Sequence, residues 1–137
     1  MAARDRAMGW ELEPTEGLPI PGALTCADPH YQGQPGSRSD GWYHPFQRDG
    51  SIKTTKIEKG QWKSWIVLAP AAGEYAFAAE TGAGGKASLS VADAGPVASG
   101  DSGAPLAGRI RLTKGVHAVK IRCDDGAFDV TAIRVTR

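Results

Sequence analysis

Alternating apolar and polar residues organise the second half of this chain. Tyr75/Phe77/Ala79, Ala87/Leu89/Val91 and Val119/Ile121/Cys123 each place an apolar side chain at every second position, the period of a strand with one buried face. The pattern predicts strands over residues 52–57, 62–69, 74–80, 86–92, 109–113, 116–123 and 128–136, preceded by one at 23–27. Gly73, Gly84-Gly85, Gly115 and Gly126 fall between these segments, where the chain needs corners. No segment sustains a helical period. The expected fold is all-β, a two-sheet antiparallel β-sandwich of the jelly-roll kind.

Other stretches are less regular. Residues 1–21 contain Glu-Pro, Leu-Pro and Ile-Pro with few periodic apolar positions, and read as an N-terminal arm or linker carrying one aromatic anchor, Trp10. The sandwich is expected over 22–137. Residues 28–50 read as a long loop and 92–105 as a Gly/Ala/Ser-rich connection, and a loop as long as the first is usually functional or wraps its own aromatic plug.

Composition narrows the classes. At 137 residues the chain is one domain by size, and 18 Gly with 9 Pro suit many short strands better than helices. A net charge of +1 gives no global field for nucleic acid or an anionic membrane surface, and no apolar run approaches the ~20 residues of a bilayer span. The opening Met-Ala-Ala-Arg-Asp-Arg-Ala-Met lacks the hydrophobic segment of a signal peptide. Cys26 and Cys123 allow either one long-range disulfide or two buried thiols, and their spacing does not suit a structural zinc.

One segment carries a resemblance. Ile57-Glu58-Lys59-Gly60-Gln61-Trp62-Lys63-Ser64-Trp65-Ile66-Val67-Leu68-Ala69-Pro70-Ala71-Ala72-Gly73-Glu74-Tyr75 is similar to the Ile-x-x-Gly-Glu-Trp-x-x-Tyr-x-Val-x-Val-Pro-x-x-Gly-x-Tyr stretch of family 6 and family 35 carbohydrate-binding modules. Leu112-Thr113-Lys114-Gly115-Val116-His117 resembles their Leu-x-x-Gly-x-His hairpin, and Phe128 to Val135 their closing strand. The resemblance spans about residues 20–136 and implies a non-catalytic, sugar-binding jelly roll attached to a secreted glycan-active enzyme. It also implies a structural calcium held by carboxylates, but Thr25, Ala27 and Thr131 stand at the matching positions, so no metal or other cofactor is expected. The position of the family's sugar-binding Asn is Asp129, which can still accept hydroxyl bonds. The family's two stacking aromatics have no counterpart near 52–53 or in 99–106.

The candidate sugar site is therefore Trp42, Tyr43 and His44 with Asp129: rings to stack on sugar C–H faces, polar groups to bond hydroxyls. The bland alternative is that the rings cap one end of the sandwich. Trp62 and Trp65, three apart, belong on opposite strand faces, one of them in the core, and an exposed one suggests a sugar platform on the sheet. With a two-residue turn at Lys114-Gly115, Arg109 would oppose Lys120, and Arg122 and Arg134 would extend a basic strip able to hold an acidic glycan or, more commonly, to be solvated and ion-paired. Among His30, His44 and His117, and around Asp101-Ser102-Gly103, no catalytic constellation is evident, and Asp124-Asp125 reads as a turn. The expected function is carbohydrate binding in an extracellular or periplasmic protein. The partners would be an oligo- or polysaccharide, with an acidic glycan among the candidates, and a parent catalytic domain, with neither nucleic acid nor membrane. The alternative is a structural or protein-interaction sandwich that has lost its ligand site.

Overall fold

The computed structural model describes residues 17–28, 30–33, 42–44 and 55–137, with only the backbone described for Gln32 and for Trp42–His44. They form eleven strands: β1 (Leu18–Pro19), β2 (Gly22–Leu24), β3 (His30–Gly33), β4 (Trp42–His44), β5 (Lys56–Glu58), β6 (Trp62–Ala69), β7 (Gly73–Thr81), β8 (Gly85–Val91), β9 (Gly95–Asp101), β10 (Leu106–Leu112) and β11 (Gly115–Thr136). Among the described residues there is no helix.

The strands make two sheets that share β11. In the larger, the order is β9-β8-β11-β6-β3-β4, antiparallel throughout, with β1 added parallel to the far end of β6. In the smaller, the order is β10-β7-β11-β2. The first part of β11 pairs with β6 and β8; the strand then bends, pairs with β5 through Ala127–Asp129, and enters the small sheet at Val130. A register shift between Cys123 and Asp125 marks the bend, as an extra residue in one strand sharpens its local twist. Gly126 makes the bend possible. Its φ is +69°, and a Cβ there would lie 2.3 Å from the Gly84 carbonyl oxygen.

The alternating rows predicted from the sequence are the inner faces. Trp65, Val67 and Ala69 of β6, Val119, Ile121 and Cys123 of β11, and Ala87, Leu89 and Val91 of β8 are buried in one core with Tyr75, Phe77, Leu112, Ile133 and Val135 of the other sheet. Each large aliphatic or aromatic side chain so buried contributes roughly 1.5–3 kcal/mol. Ile20 is buried in the same core, and its N–H donates to the Leu68 carbonyl at 3.2 Å, so the end of the segment read as an arm is attached to the sandwich.

Three local expectations are corrected. Part of the 28–50 loop is the strand pair β3–β4, ordered by pairing with β6. The 92–105 connection contains β9, which pairs with β8 and packs the partly buried Val97 and Ala98 against the core. The segment before Gly115 is not half of a hairpin with β11: β10 pairs with β7 and places Arg109 opposite Ala76, so Arg109 and Lys120 lie in different sheets. Asp101-Ser102-Gly103 is a clasp: the Ser102 N–H donates to the Gly85 carbonyl at 2.8 Å, and its hydroxyl accepts from the Gly85 N–H at 3.0 Å.

His117 ties together the opposite end of the sandwich. It is buried, with Nδ1 2.9 Å from Asp93 Oδ1 and Nε2 2.7 Å from the Thr113 carbonyl oxygen. Both nitrogens face acceptors, so only the imidazolium satisfies both. Burial opposes the charge, but the Asp93 and Thr113 hydrogen bonds outweigh it and raise the His117 pKa, while the same hydrogen bond lowers that of Asp93. The His117 contribution is complete below its unfolded value of about 6.5 and is lost as pH rises through the raised folded value; that of Asp93 is lost only in acid, below about 3.8. Thermal stability is expected to fall on going from pH 6 to 9, and Asp93→Asn to flatten that fall. Parallel slopes for the two proteins in a pH series of melting curves would contradict it.

Candidate functional site

The bend of β11 builds one end of the sandwich. Asp129 stands there, exposed, paired in register with Lys56; its N–H and carbonyl neighbours are fixed because Gly82 N–H donates to the Asp129 carbonyl at 2.8 Å and Val130 N–H to the Thr55 carbonyl at 2.9 Å. The Thr55 hydroxyl donates to Asp129 Oδ1 at 3.0 Å. Among the described residues Oδ2 has no hydrogen-bond donor. A carboxylate oriented through one oxygen and open at the other can accept hydroxyl bonds from a ligand.

Of the other predicted site residues, Trp42, Tyr43 and His44 form β4 at the margin of the large sheet. Trp42 pairs with Gln32, which pairs with Lys63 and through it Ile121, two residues before the register shift of β11 that begins at Cys123. Tyr43 is in register with Tyr31 and Ser64, and His44 with His30. The backbone thus places Trp42 and Asp129 toward the same end of the molecule, on different strands. The side chains of Trp42, Tyr43 and His44, like the whole of Phe46, lie outside the described residues.

Beneath this end the core is unusually polar. Lys63 points inward on β6 and is completely buried; burial lowers its pKa, with Cys26 close enough to oppose the shift. Cys26 and Cys123 are buried free thiols, both with pKa raised chiefly by burial. The Cys26 thiol points at the Val130 carbonyl oxygen, 3.7 Å away. His30 Nδ1 is 2.7 Å from the Asp28 carbonyl oxygen, and its ring stacks on Trp65 at 5.4 Å. Trp65 in turn donates Nε1–H to the Thr25 carbonyl at 2.9 Å.

These residues do not suit a calcium ion. Thr25 N–H and Oγ1 both donate to Asp28 Oδ2, at 2.8 and 3.1 Å, so the turn is closed by its own hydrogen bonds. Ala27 offers no side-chain oxygen, and the nearby buried polar side chain is the Lys63 amine, which is no calcium ligand. Calcium takes six or more oxygens, several of them carboxylate. Among the described residues no group of three His, Cys, Asp or Glu could hold a metal.

The two tryptophans of β6 separate as their spacing demands. Trp65 is wholly buried, whereas Trp62 is half-buried on the outer face of the large sheet, with the Lys120 ammonium 4.5 Å from its ring centroid. Tyr31 and Ser64 share the neighbouring row. The sequence pointed to this outer face twice, through the three-residue spacing of Trp62 and Trp65 and through the outward Lys120 and Arg122 of the basic strip.

No family model matches the chain, and no curated protein matches it. Solved structures do. The C-terminal family 6 carbohydrate-binding module of LamC, a laminarinase from Zobellia galactanivorans, matches with a TM-score of 0.56 and 15% identity over 84% of this chain and 98% of that one. The family 6 module of lichenase 5A from Cellvibrio mixtus, solved with cellotriose, gives 0.53 and 15% over 86% and 98%. A family 35 module solved with a disaccharide containing glucuronic acid gives 0.52 and 15% over 84% and 92%. In fold, this chain is a jelly-roll β-sandwich of the kind seen in family 6 and family 35 carbohydrate-binding modules.

Proposed function

We propose that the chain is a non-catalytic carbohydrate-binding domain, the accessory part of an extracellular or periplasmic glycan-active enzyme. Its sugar is held at the bend end of the sandwich. Asp129 accepts hydroxyl bonds, and Trp42, Tyr43 and His44 supply stacking faces and polar contacts. The observation that carries this reading is the exposed Asp129 carboxylate, oriented by Thr55 through Oδ1 and with no donor to Oδ2 among the described residues. It gains support from a fold shared with modules solved with cellotriose and with a glucuronic-acid-containing disaccharide.

A second reading, a protein-interaction sandwich, has one observation in its favour. Leu68 and Val116, 39% and 46% exposed, sit directly opposite each other on β6 and β11, a small apolar patch away from the bend.

A glycan array followed by tryptophan fluorescence titration separates the two. Asp129→Ala and Trp42→Ala are each expected to weaken binding by about tenfold or more, the scale of a lost charged hydrogen bond or stacking partner. Absence of binding to every neutral and acidic glycan, or binding that both variants leave intact, would reject the proposed site.

A further inference from the structure

The basic residues that the sequence grouped into one strip are of two kinds. Arg109 and Arg134 belong to the small sheet, and each is ion-paired, with Glu74 and Glu80. Lys120 and Arg122 belong to the large sheet, and among the described residues neither has a carboxylate within ion-pair distance. They are successive outward positions of β11, so their backbones are about 7 Å apart on one face.

The surroundings hold the two cations up rather than neutralise them. Lys120 lies opposite Ser64, which is only 7% exposed, and its ammonium sits over the Trp62 ring. That ring lies against Gly33, where a Cβ would be 2.2 Å from its Cζ2. The indole is therefore covered by backbone and by a cation, an arrangement that fixes the ammonium. Arg122 lies between Trp62 and Ser88 in its row and is exposed. At the margin, the Asp124 carboxylate accepts a hydrogen bond from the Ser88 hydroxyl at 3.2 Å. The short Ser88 side chain on the β8 flank leaves the exposed guanidinium standing above the face.

We infer that this outer face is a second binding surface, specific for the carboxylate of a uronate-bearing saccharide, which is held between the Lys120 ammonium and the Arg122 guanidinium. The guanidinium fork matches a carboxylate through two parallel hydrogen bonds, and Lys120 adds a point charge. Trp62 acts here as a positioning residue for Lys120. The face is distinct from the Asp129 end and does not depend on it.

Calorimetric titration of the whole chain tests this. The ligands are a uronate oligosaccharide, its carboxyl-reduced neutral counterpart and a sulfated oligosaccharide. The uronate form is expected to bind about tenfold or more tightly than the reduced form, with an affinity that falls as salt is raised. Arg122→Gln and Lys120→Gln should each remove about tenfold of the uronate affinity, Asp124→Asn should raise it, and Arg109→Gln should leave it unchanged. Equal binding of uronate and reduced ligands, tighter binding of the sulfated one, or equal behaviour of Arg122→Gln and Arg109→Gln would each overturn the inference. Asp129→Ala separates the two sites: it should leave the uronate preference intact, whereas failure of the Asp129 reading appears as unaltered neutral-glycan binding in that variant.

Discussion

Trp65→Ala is expected to lose about 3–5 kcal/mol of folding stability, measured by urea denaturation. The side chain is 0% exposed, stacks on His30 and bonds the Thr25 carbonyl. Truncation thus opens a large void and leaves the partly buried Thr25 carbonyl without its indole donor. Because a loss of that size can leave part of the chain unfolded without denaturant, Trp65→Phe provides a milder arm. It keeps most of the volume but drops the Nε1–H bond, and should cost about 1–3 kcal/mol. Trp62→Ala, on the half-buried outer face, should cost clearly less than Trp65→Ala. Equal losses would show that the inward and outward rows of β6 are misassigned.

The second large effect is expected at the bend. Gly126→Ala puts a side chain on a backbone with φ of +69° and drives its Cβ to 2.3 Å from the Gly84 oxygen and 2.9 Å from the Gly85 Cα. Left-handed strain costs roughly 1–2 kcal/mol and forced overpacking typically another 1–3, so a loss of about 2–5 kcal/mol is expected. Gly115→Ala is the control: its φ is +129°, but a Cβ there meets nothing within 4 Å. If the two variants melt together, the Gly84–Gly126 contact does not shape the bend. Because Asp129 lies three residues beyond Gly126, sugar affinity at that end should fall in Gly126→Ala even under conditions where the protein remains folded.

Much of the fold could be read from period-two patterning, because burial on one face imposes that period directly on the sequence. Residues 62–69 were expected as a strand and are one, and the rows of Tyr75, Leu89 and Ile121 are core. β9 was missed for a physical reason: Gly-Pro-Val-Ala-Ser-Gly-Asp has weak strand propensity and is ordered by β8 beside it. The relation of Arg109 to Lys120 was misread because alternation says which face a residue takes but not which sheet its strand joins. Which cations are neutralised followed from that: Glu74 and Glu80 come from β7, a strand β11 reaches only after its bend. Asp129 was legible only through resemblance to a family motif. The hydroxyl that orients it, from Thr55, lies 74 residues away in sequence, beyond the reach of any local pattern.

The shared strand has a consequence for how the domain comes into being. β11 is the last strand in chain order, yet it is central in both sheets, between β6 and β8 in one and between β7 and β2 in the other. During synthesis β2, β5, β6, β7 and β8 all leave the ribosome before the neighbour they share exists. The nascent chain must then hold apolar edges open to chaperones or to one another until the final segment arrives, and both layers close in one late step.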